Sequence, residues 1–249
     1  MAAVEEGRLY RRRAWNTSGL LAGSFESHTQ MNTTMTPEKK LNTNLRNKRM
    51  NHATAGQRCM LWVDGVGGFL TCFSVRVEIG QAVSETQVDV PLLGDLSRHH
   101  AVLERQDDVY LIEPHGPTWV ESRQIDKPRV LADGDEIRLG DSVSMRFRQP
   151  HALSSTARID FLSTHRTQPS ADGVLLMAGS CILGASDNCH VVCRHWQHEV
   201  VLVRQRQALA CHVNTEFEVD GSVNRGRAPV TMSSTIQGDD FCLSLEHID

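Results

Sequence analysis

From Glu78 to Gly140 the chain is a succession of short β-branched and apolar runs, each closed by turn residues. Val75 to Ile79 alternates apolar and polar and stops at Gly80. Val88 to Leu93 carries Pro91 and is closed by Gly94-Asp95. Ala101-Val102-Leu103 leads through the polar turn Gln106-Asp107-Asp108 into Val109-Tyr110-Leu111-Ile112. Leu131 to Gly140 then leads into Val143 to Phe147. Short strands at close spacing, with turn signals between them, define an all-β sandwich or barrel.

The same stretch resembles the forkhead-associated (FHA) domain, a β-sandwich whose loops read phosphothreonine. The resemblance lies in Ile79-Gly80, Ser97-Arg98-x-His100-Ala101, Thr118-x-Val120 and Leu131-x-x-Gly134-Asp135-x-Ile137-x-Leu139-Gly140. It implies that phosphate is held by a Gly-Arg pair after an early strand and by the serine of Ser-x-x-His. The histidine supports the loop, and a downstream Asn-Gly-Thr turn holds the peptide backbone. A dianion needs charge-assisted donors, which guanidinium and hydroxyl supply. Ser97, His100 and Thr118 fill their places, but the Gly-Arg pair is Gly80-Gln81 and the Asn-Gly is Gly116-Pro117. Gln81 donates only a neutral hydrogen bond. Arg98 or Arg123 could replace the missing charge, although a solvated or structural arginine of the sandwich is the preferred reading of Arg98. The expected phosphopeptide-binding residues are Ser97, Arg98, Thr118 and Gln81, with His100 as structural support.

Charge is uneven along the 249 residues. Residues 1–57 hold nine Lys/Arg and four Asp/Glu, a net of +5. The remainder holds seventeen and twenty-six, a net of −9. The only lysine after residue 57 is Lys127. Residues 1–57 lack aliphatic periodicity and are expected to be a disordered tail. The overall charge of −4 argues against a nucleic-acid partner. No run approaches the ~18 apolar residues of a membrane helix, and Arg11-Arg12-Arg13 is followed by no signal-peptide core. Seven cysteines at irregular spacing make no disulfide framework. A cytoplasmic protein is expected.

Met60 to Phe73 opens the folded part. Its Gly65-x-Gly67-Gly68 leads into strand-like residues instead of a helix, so it reads as a hairpin turn and not a nucleotide loop. Asp133-Gly134-Asp135 lacks the spacing of a calcium loop and reads as a turn. Ala157 to Leu162 is one more strand-like run, and the polar stretch after it reads as a linker.

From Gly173 onward the pattern repeats. Gly173-Val-Leu-Leu-Met and Cys181-Ile-Leu-Gly184 echo Gly68 to Phe73 and Val77 to Gly80, and Cys189-His-Val-Val echoes Val88-Asp-Val. Cys193-Arg194-His195-Trp196 stands for Ser97 to His100, and Ser233-Ser-Thr-Ile for Gly134-Asp-Glu-Ile. Cys193, Trp196 and Ala185 replace the serine, the histidine and the phosphate-binding arginine of the resemblance, so no phosphate site is expected in this degenerate repeat. Cys189-His190-x-x-Cys193-x-His195-x-x-His198 has the donors for zinc at the spacing of no familiar module. Buried small cysteines and surface histidines are the preferred reading. Ser97 beside His99 and His100, or Cys193 beside His195, lacks the third group of a nucleophilic triad.

The sequence thus predicts two FHA-like β-sandwiches in tandem behind the tail, with 60–165 as the first and 172–249 as the degenerate second. The expected role is protein–protein interaction, with a partner that is threonine-phosphorylated in the mode the resemblance implies. The alternative is a phosphate-independent structural scaffold. No enzyme activity, cofactor, metal, nucleic acid or membrane is expected.

Overall fold

The computed structural model describes residues 57–84, 87–151, 153–206 and 208–248, all within one compact unit. The predicted tail, 1–57, lies outside the described residues except for Gln57. As expected, the fold is all-β, and no helix occurs among the described residues. The first strands are β1 (Arg58–Val63), β2 (Gly67–Cys72), β3 (Arg76–Gln81), β4 (Val90–Leu92), β5 (Ala101–Gln106) and β6 (Val109–Pro114). Next come β7 (Thr118–Val120), β8 (Arg123–Ile125), β9 (Arg129–Leu131), β10 (Glu136–Leu139), β11 (Val143–Arg148) and β12 (Ala157–Phe161). The chain continues with β13 (Gly173–Leu176), β14 (Ser180–Gly184), β15 (Val191–Val192) and β16 (Val200–Gln205). The last are β17 (Ala208–Val219), β18 (Ser222–Val230), β19 (Thr235–Gln237) and β20 (Cys242–His247).

A five-stranded sheet, β4-β3-β5-β6-β9, covers one face of a sheet of fifteen strands. The large sheet runs β15-β14-β16-β17-β19-β20-β1-β2-β13-β12-β11-β10-β7-β8, with β18 added to β17. At its centre the hairpins change places. The β1–β2 hairpin leads into β3, yet β1 pairs antiparallel with β20. The β12–β13 hairpin leads into β14, yet β12 pairs with β11. Each hairpin leads into one half and closes the sheet of the other.

Between the two hairpins, β2 and β13 pair in parallel, Leu70 beside Val174 and Cys72 beside Leu176. Alternate residues of a strand point to opposite faces, so these strands serve two cores. Leu70, Cys72, Val174 and Leu176 pack with Ile79, Leu103, Ile137 and Phe147. Phe69, Phe73, Leu175 and Met177 pack with Leu183, Leu202, Val213 and Leu243. Two-faced burial explains why Phe69 to Phe73 and Gly173 to Met177 read as near-continuous apolar runs instead of alternating ones.

The second half repeats the pairings of the first. β14 pairs β15 in parallel as β3 pairs β4, with Leu183↔Val191 matching Ile79↔Val90. One residue before each short strand, a side chain receives the neighbouring backbone N–H. Asp89 Oδ2 accepts from Glu78 at 2.8 Å, and His190 Nδ1 accepts from Ile182 at 2.9 Å. Glu121-Ser122 and Asp220-Gly221 are matching two-residue turns, all four with positive φ. Glu121 and Asp220 each receive an N–H on the side chain at 2.8 Å, from Glu136 and Thr235.

Two departures matter. Leu183↔Val200 matches Ile79↔Ala101, which puts Glu199, not Trp196, in the place of His100. Trp196 instead fills the second core against Phe241, ring centroids 5.5 Å apart. Moreover, β6 and β7 of the first half are fused in the second into β17, with a bulge between Val213 and Glu216 where the first half has a loop. The second half therefore lacks the connection on which the site below is built.

His190 is fully buried, and burial, then the neighbouring charges of His151 and Arg158, push its imidazole from 6.5 down to about 4. The unfolded chain takes up this proton below pH 6.5 and the folded chain only near pH 4. The stability it contributes is complete above pH 6.5 and lost as pH falls towards 4, roughly 1–3 kcal/mol in all. Urea unfolding at pH 7 and pH 4.5 should show a smaller acid loss in His190→Gln than in the native chain. An identical loss in both would contradict this.

Candidate functional site

Three connections meet at one end of the first half: the end of β3, the β4–β5 loop and the β6–β7 loop. His100 joins them. The imidazole is buried, with Nδ1 accepting the Ser97 N–H at 3.1 Å and Nε2 lying 3.0 Å from the Pro117 carbonyl. A backbone N–H can only donate and a carbonyl only accept, so the ring carries its proton on Nε2. Its own backbone completes the joint: His100 N–H donates to Ile79 O at 2.8 Å, and His100 O accepts from His115 at 2.9 Å and Gly116 at 2.8 Å. The Pro117 carbonyl also accepts from Gly140 at 2.9 Å, which brings in the β10–β11 turn.

The other predicted residues fall around this joint. Ser97 and Arg98 are exposed on the β4–β5 loop. Gln81 donates its backbone N–H to Ser97 O at 3.0 Å, and its Nε2 reaches Gly94 O at 3.4 Å. In the place where the resemblance expects a guanidinium, a neutral amide thus ties two loop segments together. Thr118 is wholly buried and donates its hydroxyl to Gly116 O at 2.9 Å, so the structure places it inside the turn. Arg123 stands on β8 opposite Val120.

Glycine is required at two points. A Cβ on Gly80 would lie 1.8 Å from the Arg98 carbonyl, so only glycine lets β3 pass beneath the loop. A Cβ on Gly116 would lie 2.8 Å from His100 Cε1 and Nδ1 and 3.0 Å from Ser97 Oγ. The site is packed around the absence of a side chain at 116.

Sequence reasoning missed a strap outside the loop. Leu92 bridges Thr167, and Leu93 donates to Arg166 O at 3.0 Å. His165 lies against Gly94, with Ser163 Oγ 2.9 Å from Nδ1 and Ser142 Oγ 3.3 Å from Nε2. Nothing in the linker-like composition of this segment signals that role.

The alternative constellations do not assemble. Cys193 is buried, and burial pushes its thiol up to about 12, which leaves no thiolate near neutral pH. His195 is exposed, while His198 is paired with Asp240 at 2.8 Å. Among the described residues, no group of three His, Cys, Asp or Glu is placed to hold a metal.

A five-stranded sheet packed on a larger one, with interlocked loops at one end around a buried histidine, defines a loop-presenting β-sandwich. Residues 77–140 match the family model of the FHA domain, and this segment is an FHA domain. No curated protein matches the chain. Among solved structures it is similar to EmbR of Mycobacterium tuberculosis in complex with a low-affinity phosphopeptide, at 22% identity and TM-score 0.28, over 46% of this chain and 32% of that one. The chain therefore spans about a third of EmbR. It is also similar to the FhaA FHA domain complexed with the intracellular domain of Rv3910, at 25% identity and TM-score 0.25, over 33% of this chain and 91% of that one. A third similarity is to the N-terminal FHA domain of EssC, a component of the bacterial type VII secretion apparatus. It has 10% identity and TM-score 0.21, over 77% of this chain and 98% of that one.

Because His100 is held at both ring nitrogens, it cannot yield to a side chain at 116. Gly116→Asn should therefore destabilise the chain by about 1–3 kcal/mol instead of restoring the family's amide. Urea denaturation checks this, and unchanged stability would show that the ring does not occupy the space.

Proposed function

We propose that the protein is an interaction module of FHA type whose first half, 60–165, presents the recognition loops to a protein partner. The second half, 172–249, is in this reading a sandwich of the same plan that supports the first. The carrying observation is the double anchorage of His100, which fixes the Ser97 loop against the Pro117 turn while Ser97 and Arg98 stay exposed. Such a rim suits a threonine-phosphorylated peptide, with Ser97 as a phosphate donor and Arg98 as the nearest cation in sequence.

Phosphate binding is weak in this reading. Gln81 offers no charge, and a hydrogen bond to a charged group contributes ~1.5–3 kcal/mol, which is roughly one to two orders of magnitude in affinity. A second reading, a phosphate-independent scaffold, is favoured by the engagement of Gln81 with Gly94 and by the packing that keeps Asn out of position 116. No described helix is long and apolar enough to cross a membrane, and the cytoplasm remains our proposed location.

A library pull-down with matched phosphorylated and unphosphorylated threonine peptides, followed by calorimetry, separates the two readings. Phosphopeptide binding should strengthen by one to two orders of magnitude in Gln81→Arg and vanish in Ser97→Ala. Equal binding of both peptide states would establish the scaffold instead.

A further inference from the structure

One hairpin connection differs sharply between the two halves. By register, the β1–β2 hairpin stands to the second half as the β12–β13 hairpin stands to the first. Val63 pairs Leu243 as Phe161 pairs Met145. The next N–H of each, from Asp64 and Leu162, donates to Cys242 O at 3.0 Å and Ser144 O at 2.9 Å. The β1–β2 connection is only 64–66, closed by the Val66 N–H on Val63 O. It shares a cleft with Val192 to Trp196, the counterparts of Pro91 to Asp95. The β12–β13 connection is the strap, and it runs from 162 to 172. A hairpin reverses in about two to five residues, so the extra length is not needed to turn the chain.

That length is laid beside the Ser97 loop. Gln168 N–H donates to Pro91 O at 2.9 Å and Leu93 N–H to Arg166 O at 3.0 Å, with Leu92 and the buried Thr167 bridged between them. The bridge is antiparallel, so residues 166 to 163 run towards Gly94 and the loop. His165 lies against Gly94, whose carbonyl also takes Gln81 Nε2 at 3.4 Å. Only β4 separates the strap from Gln81, since Leu92 pairs Gln81 on one side and bridges Thr167 on the other. Arg166 folds in the direction of the loop: its Nη1 donates to His165 O at 2.9 Å and Ser163 O at 3.4 Å. Arg166 is half-buried, and among the described residues its Nε and Nη2 make no bond and no carboxylate pairs with it.

We propose that the strap is a further wall of the recognition surface, and that Arg166 takes an acidic side chain flanking the phosphothreonine of a partner peptide. The inference rests on the phosphopeptide reading of the Ser97 loop and adds the flanking chemistry to it. Pinning Nη1 orders the side chain in advance, so less rotamer freedom is lost on binding. The remaining N–H groups of the guanidinium suit a carboxylate. The half that lacks the loop joint keeps only a minimal turn here, so the sandwich itself does not require the longer connection.

The probes are three synthetic phosphothreonine peptides with Glu, Gln or Lys at the flanking positions. Each is titrated into the full chain by calorimetry at constant ionic strength, beside its unphosphorylated form. The Glu peptide should bind tightest, against the net charge of −9 on residues 58–249. Arg166→Gln should weaken the Glu peptide about tenfold or more and leave the Gln peptide unchanged. Arg166→Lys, which keeps the charge, should retain most of the preference. A Glu preference that survives Arg166→Gln, or one lost equally in Arg166→Lys, would overturn the proposal. Binding that needs the phosphate and Ser97 but ignores the flanks would overturn it too, and would leave the loop reading standing. Equal binding of phosphorylated and unphosphorylated peptides would overturn both.

Discussion

The parallel pairing of β2 with β13 is the constraint on which the rest of the structure depends. A lone parallel pair has no tight turn to close it, and here it is held by the antiparallel hairpins on its two sides. Its side chains are buried on both faces: Leu70 and Val174 look into one core, Phe69 and Leu175 into the other. Each such apolar side chain contributes roughly 1.5–3 kcal/mol when fully buried. The same four hairpin strands therefore stabilise both halves at once, and a disturbance at this seam reaches both cores.

That economy helps to explain how the second half can keep these strand pairings without the loop joint that surrounds His100 in the first. Its contribution to the seam needs only the pairings of β14, β16, β17 and β20, all of which survive. The loop that carries Gly116 and Pro117 in the first half makes no part of the seam, and a bulge in β17 replaces it. Without that loop there is nothing for a histidine before β16 to hold, and Glu199 occupies the place. The first half retains the joint, with its buried histidine satisfied at both nitrogens.

The all-β class was legible because its signals are local. Turn residues, β-branched runs and the Gly-Asp-x-Ile string act over a few neighbours, and Asp220-Gly221 even sets its own turn type. The exchange of hairpins was not legible. The apolar runs of β2 and β13 announce burial on two faces, but a run cannot name the strand that will lie beside it. In the site, Ser97, His100 and Gly80 could be placed by motif, and Thr118 could too, though its burial could not. Gly116 read as a missing amide, whereas in space it is the room that the His100 ring fills.

The central claim is that the two halves fold as one cooperative body through shared strands. Its most direct test is hydrogen exchange of the full chain carrying Ile137→Ala, a cavity deep in the first core on β10, a strand outside the β2–β13 pair. The account predicts that the slowest amides of β16 and β20, in the second half, lose protection together with those of β5 and β11, by the same factor. Undiminished protection of β16 and β20, with loss confined to the first half, would show two independent sandwiches and contradict it.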